Sequence, residues 1–159
     1  MTQKAAAIEE IFDMLMDSNM FSRMQGDELR AAAPYFGINN YKAGAMIFNE
    51  GDKGTFMCIV QKGRVSVVKK DQDGKSVVMG TEGTRGTFGE MALLDGEPRS
   101  ASCVAQTDCE LLTLARTSLD DILKEKPRLG AEILRSIAIS LSRRMRASAG
   151  RLVDRLDQD

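Results

Sequence analysis

Three regimes of hydrophobic spacing divide the chain. Between about Ala5 and Phe36, apolar residues recur every three or four positions: Ile8, Ile11, Phe12 and Leu15, then Phe21, Met24, Leu29 and Ala32. That period predicts two or three short helices, with Asp27 as an N-cap ahead of Glu28-Leu29 and Gly37 as the closing cap. From about Ile38 to Ala115 the period changes. Short runs rich in β-branched residues are punctuated by Gly44, Gly54, Gly63, Gly74, Gly86 and Gly96. Val65-Ser66-Val67-Val68 and Ser76-Val77-Val78-Met79 flank Asp71-Gln72-Asp73-Gly74, whose Asp-Gly pair predicts a hairpin. Lys62-Gly63 predicts a second tight turn before Val65. Many short strands with even turn spacing predict a small barrel or roll, and the lack of a shared side-chain pattern argues against a solenoid.

Helical spacing returns near residue 117. Thr117 or Ser118 with Asp121 reads as a cap, and Leu119, Ile122 and Leu123 predict a short amphipathic helix. Pro127 suits the first turn of a further helix. From there to about Leu156 no proline intervenes, and Leu134, Ile137, Leu141, Met145, Ser148 and Leu152 are spaced by three and four. Part of this seam is expected to pack on the roll. Thirty residues would reach about 45 Å, longer than a small roll, so the overhang predicts pairing with a second copy.

A length of 159 residues fits one domain with a real core. The 22 basic and 23 acidic side chains leave a formal charge of −1, which gives the whole chain no pull toward nucleic acid or anionic lipid. Histidine is absent. Zinc hydrolases, histidine-ligated haem sensors, metal-binding cupin barrels and Ser-His-Asp hydrolases all need imidazole, so enzyme classes lose ground early. Cys58, Cys103 and Cys109 are odd in number and far from any C-x-x-C spacing; buried thiols in a reducing compartment are expected. The opening MTQKAAAIEEIFDML interrupts its apolar stretch with acid and is no secretory signal, and no apolar run is long enough for a membrane span. A cytoplasmic location is the expectation.

The segment richest in chemistry is Thr87-Phe88-Gly89-Glu90-Met91-Ala92-Leu93-Leu94-Asp95-Gly96-Glu97-Pro98-Arg99-Ser100-Ala101. Gly89 lets the chain turn and bring amides close to a ligand, and Glu90 to Leu94 form one helical turn whose free N–H groups suit an anion. Pro98 stiffens the approach to Arg99, which is expected to begin a strand. A carboxylate and a guanidinium on one loop suit a ligand bearing both hydroxyls and a phosphate. The alternative is an Arg99–Glu90 ion pair that only staples the loop.

This stretch resembles the phosphate-binding cassette of the cyclic nucleotide-binding domain family, close to F-G-E-x-[AS]-L followed by P-R-[SAT]-A. The likeness extends back through Gly51-Asp52-Lys53-Gly54-Thr55-Phe56 and Gln61-Lys62-Gly63-Arg64-Val65-Ser66-Val67, and covers roughly Met20 to Leu156. The resemblance implies that Glu90 accepts from the ribose 2′-hydroxyl and that Arg99 pairs with the cyclic phosphate. It implies further donors from the amides of Gly89, Glu90, Met91, Ala92 and Ala101, in a pocket that includes Phe88 and Pro98. Ser100 resembles the bacterial cAMP-receptor pattern, which implies cAMP rather than cGMP. A lid for the purine is implied in the last helix: Ser148 on adenine, or Arg144 over the ring face. Ser148 as a helix-interface residue and Arg144 as a solvated charge are the plainer alternatives.

Arg135, Arg143, Arg144, Arg146, Arg151 and Arg155 make the terminal helix basic, but they fall on several faces, and Asp154, Asp157 and Asp159 follow. No nucleic-acid or membrane partner is therefore expected. The expected fold is α+β, mainly β: an eight-stranded β-roll (38–116) with N-terminal helices (1–37), then a short hinge helix and a long lid or dimer helix (117–156), with the cassette at 87–101. The expected function is a stand-alone receptor for a cyclic nucleotide that changes conformation and signals to a partner protein. It needs no metal or cofactor, is not an enzyme, and can dimerise through its last helix. Two readings compete: a regulatory fragment of a longer transcription factor, kinase or channel, and a structural dimerisation module that no longer binds ligand.

Overall fold

The computed structural model describes residues 1–158; Asp159, counted above in the acidic tail, lies outside them. Helix α1 (Gln3–Asp17) starts where the Thr2 hydroxyl accepts from the Ala5 amide at 3.1 Å, and it buries Ile11, Met14 and Leu15. Helix α2 (Gly26–Ala32) is fixed at its start by the Glu28 carboxylate, which accepts from the Gln25 amide at 2.9 Å. Asp27 lies inside the first turn rather than at the cap, because Gln25 and Glu28 already close that end. A single 3-10 turn (Ala33–Tyr35) carries Pro34, and strand β1 (Phe36–Tyr41) begins directly after it. Gly37 is thus the second residue of a strand and not a helix cap.

The roll follows with β2 (Met46–Phe48), β3 (Phe56–Lys62), β4 (Val65–Lys70), β5 (Ser76–Glu82), β6 (Thr87–Phe88), helix α3 (Glu90–Asp95), β7 (Ser102–Ala105) and β8 (Cys109–Ala115). The eight strands form two antiparallel four-stranded sheets, ordered β1-β8-β3-β6 and β2-β7-β4-β5. The β4–β5 turn falls at Asp71–Gly74 as the Asp-Gly pair predicts. Gly74 sits at φ 79, and the Asp71 carboxylate accepts from the Asp73 and Lys75 amides at 2.9 Å each.

Two apolar clusters share strands β3 and β8. On β3, Met57 and Ile59 face the helices while Cys58 and Val60 face the interior of the roll; on β8, Leu112 and Leu114 face outward and Leu111 inward. Both faces are covered, so Phe56–Val60 of β3 reads as an unbroken apolar run, while β8 buries Leu111, Leu112 and Leu114 around a half-buried Thr113. Helix α4 (Arg116–Glu125) begins one residue before the expected boundary. Its N-cap is Ala115, and Thr117 and Ser118 are already helical, so neither caps it. Helix α5 (Pro127–Leu156) carries Pro127 at its first position and runs 30 residues. Leu129, Ile133 and Ile137 bury it against the helical cluster, Leu134 and Leu141 pack at its margin, and Met145, Leu152 and Leu156 are exposed. The seam therefore splits in two, with its first half on the body and its second half uncovered. Among the described residues no helix is long and apolar enough to cross a membrane.

Candidate functional site

Two chain segments strap together to place the cassette. The Arg99 amide donates to the Asp52 carbonyl at 2.7 Å, the Gly51 amide donates to the Arg99 carbonyl at 2.8 Å, and Lys53 bridges Pro98. Arg99 precedes strand β7, which starts at Ser102, so it is held by this strap instead of a ladder. Its side chain turns inward, leaving Arg99 4% exposed. One terminal nitrogen donates to the Gly89 carbonyl at 3.0 Å and the other to the Phe56 carbonyl at 2.5 Å. The guanidinium carbon stands 3.8 Å from the Phe48 ring centre and 4.9 Å from that of Phe56. Burial pulls its pKa below the ordinary arginine value, opposed by nearby Cys58 and Cys103 and by the carboxylates of Asp52 and Glu90, and the group stays a cation. Its Nε is buried with no hydrogen-bond partner. A buried cation with an unanswered donor is poised for an anion.

The amides at the head of the cassette come from α3. Gly89 caps it at φ 81, and no side chain closes that end, so the first-turn N–H groups stay unoccupied. A Cβ on Gly89 would lie 2.8 Å from an Arg99 terminal nitrogen and 3.3 Å from the Phe56 carbonyl oxygen. Glycine is required there twice over, by backbone angle and by the closeness of the guanidinium.

Glu90 is 2% exposed. Its partner is Arg144 on α5, which donates to the Glu90 carboxylate at 2.7 Å, to Glu82 at 3.2 Å, and to the Thr87 carbonyl. Burial raises the Glu82 carboxyl above the usual range, Arg144 draws it partway back and Glu90 pushes it up again. The Arg99–Glu90 staple is not formed, since Arg99 spends its terminal nitrogens on carbonyls. Nor is Arg144 a solvated charge.

Phe88, Gly89, Glu90, Met91, Ala92, Pro98, Arg99, Ser100, Ala101 and Arg144 all line one cavity of about 290 Å³. Ser148 does not. It lies one turn further along α5, exposed, where its hydroxyl accepts from Arg151 at 3.3 Å. The helix has left the body by then, so this arrangement does not bring Ser148 to the cassette cavity. Phe48, Phe56 and Glu82 were not foreseen. A cysteine wall completes the interior: burial pushes the Cys58 thiol far up and the Cys103 thiol up to about 12, with Arg99 opposing both shifts. Both are neutral packing groups.

A second recess of similar size shares Arg144 and Glu82 with this cavity, is lined by Arg23, Arg85 and Ser136 among others, and takes in none of the cassette beyond Thr87.

The family model for the cyclic nucleotide-binding domain matches residues 38–126. A Cyclic AMP receptor protein of Thermus thermophilus is 33% identical over 129 residues, covering 81% of this chain and 58% of that protein. A cAMP-dependent protein kinase regulatory subunit of Dictyostelium discoideum is 27% identical, covering 86% of this chain and 43% of that protein. The crystal structure of a cyclic nucleotide-binding domain from Methylobacillus flagellatus superposes with a TM-score of 0.81 at 28% identity, covering 93% of this chain and 83% of the other. The chain thus spans 58% or less of the length of the two named relatives. That model covers more than half of the chain, and the chain belongs to the cyclic nucleotide-binding domain family.

Proposed function

We propose that this chain is a cyclic nucleotide receptor that prefers cAMP to cGMP. The observation that carries the reading is Arg99: a buried guanidinium, backed by two aromatic rings, with a free donor beside the open amide end of α3. That arrangement suits the single negative charge of a cyclic phosphate, and charge-assisted bonds of this kind are worth about 1.5–3 kcal/mol. The cavity of about 290 Å³ sits near the lower end of small-molecule sites, about 300–1,000 Å³, and suits one nucleotide. Ser100 on its wall, and the name of the Thermus relative, favour cAMP.

In this reading the ribose goes to Glu90 and must share that carboxylate with Arg144. Ligand entry then changes the fastening of α5, and α4 between roll and α5 transmits the change. Ligand can shift such an equilibrium only by its preference for one form; a hundredfold shift needs about 2.7 kcal/mol of differential binding. The proposed recipients of the signal are a downstream protein and a second copy paired along the outer half of α5.

Calorimetric titration with cAMP and cGMP tests the reading. Saturable binding with cAMP tighter is expected. Arg99→Ala, checked for its fold by circular dichroism, is expected to weaken it by about tenfold or more. Unchanged affinity in a folded Arg99→Ala protein refutes the assignment.

A further inference from the structure

The cavity behind Arg144 has a composition that the cassette does not explain. It occupies about 300 Å³ between the α1–α2 connection, the turn before β6 and the inner half of α5. Four arginines line it, Arg23, Arg85, Arg143 and Arg144. Arg85 is answered by Asp17 at 2.9 Å, and Arg144 by Glu82 and Glu90 at 3.2 and 2.7 Å. Arg23 and Arg143 form no ion pair among the described residues. Two uncompensated cations thus face one recess with hydroxyls of Ser136 and Ser140 in its wall, and Ser136 is only 6% exposed.

Like charges gathered without partners repel, and an anion held among them relieves that repulsion. The backbone adds a second cost here. Arg85 sits at φ 74, the single non-glycine residue with positive φ among those described. Its amide is tied to the Val60 carbonyl at 2.8 Å, so the turn that presents it is fixed by the sheet. Strain of this kind persists where the surrounding structure imposes it and clusters at ligand sites. Guanidinium forks and serine hydroxyls are donors matched to phosphate oxygens.

We propose that this cavity is a second, separate binding site for a multiply charged phosphate anion. Arg23 and Arg143 supply the uncompensated charge, and Ser136 and Ser140 supply hydroxyl donors. The site is distinct from the cassette, which presents one buried arginine and backbone amides to a singly charged ester. Arg144 and Glu82 form the wall common to both cavities.

The test uses inorganic pyrophosphate on the full chain, without any nucleotide, at constant ionic strength with sulfate as a comparison anion. The readouts are calorimetry and amide chemical shifts. Saturable binding of one pyrophosphate is expected, with shifts centred on residues 19–23, 85–87 and 136–144. Arg23→Ala and Arg143→Ala are each expected to weaken it about tenfold, with thermal midpoints unchanged because both side chains are exposed. Absence of saturable binding, shifts confined to 89–101, or affinity indifferent to both substitutions would overturn the proposal. None of these outcomes depends on whether cAMP binds, so the second site and the nucleotide reading stand or fall separately.

Discussion

The Arg144 guanidinium reaches across 54 positions of chain to donate to the buried carboxylate of Glu90 at 2.7 Å. One bond thereby fastens the long terminal helix to the residue that opens α3. Removing Arg144 leaves a carboxylate that is 3% exposed without its charged partner, while the arginine itself is 42% exposed and partly screened. Arg144→Ala is expected to cost about 1–2 kcal/mol in denaturant unfolding. In a Glu90→Gln background the same substitution should cost clearly less, and the double-mutant cycle gives the coupling. Strictly additive costs would show that the contact is not energetically real.

Gly89 and Gly74 separate backbone strain from crowding. Both have positive φ, 81 and 79, but a Cβ on Gly74 meets nothing within 4 Å whereas one on Gly89 meets the Arg99 guanidinium and the Phe56 carbonyl. Gly74→Ala should lose only the left-handed backbone term, about 1–2 kcal/mol. Gly89→Ala should lose that and displace Arg99 as well, so its stability loss is larger and its cAMP affinity falls, while Gly74→Ala binds normally. Equal effects on stability and binding would refute the close approach.

How much of this was legible in the chain follows from which contacts are local. The cassette occupies fifteen consecutive residues, and its turn, helical turn and returning arginine are near neighbours in sequence, so the pocket wall could be read directly. The roll was legible from turn chemistry at Gly63 and Gly74. The lid was not. Arg144 and Ser148 are one helical turn apart, and which of them faces the cassette depends on where α5 leaves the body, a matter settled by Leu129, Ile133 and Ile137 packing on the helical cluster. Phe48 and Phe56 escaped notice for a related reason: their rings meet Arg99 only once β2, β3 and the strap from Gly51 to Lys53 are assembled. The helix boundaries at Asp27, Gly37 and Thr117 differ from the expected ones for separate reasons: Gln25 and Glu28 close the start of α2, the 3-10 turn at Pro34 runs straight into β1 so that Gly37 is in a strand, and α4 begins after Ala115 with no side-chain cap to mark its start.

Glu82 predicts a pH dependence with a definite sign. Burial raises its folded pKa above the usual glutamate value. Between the unfolded and folded values the native state keeps a proton that the unfolded state has lost, so its contribution to stability falls as pH rises through that window. Below the window both states are protonated and the contribution is constant. Glu82→Gln removes this term, so the stability difference between wild type and variant should change with pH in the acid range, with wild type losing relative to the variant as pH rises. Unfolding curves at several pH values check it; a difference that is flat with pH, or that moves the other way, contradicts the raised value.

The outer half of α5 carries the last prediction. Met145 is 74% exposed, Leu152 60%, Val153 55% and Leu156 65%, all beyond the last buried position of the helix at Ile137. A lone helix gains nothing from apolar residues in water, and each such side chain buried against a partner is worth about 1.5–3 kcal/mol at full burial. Met145 and Leu152 are seven residues apart and Leu156 four further, which keeps them along one side of the helix for a coiled-coil seam with a second copy. Sedimentation of the intact chain is expected to show a dimer. Leu152→Glu places like charges in the seam and should weaken the dimer at least tenfold, while cAMP binding in the roll, more than one turn away from position 152, should remain measurable. A monomer at all concentrations, or a dimer untouched by Leu152→Glu and Met145→Glu together, would show that this stripe does not pair.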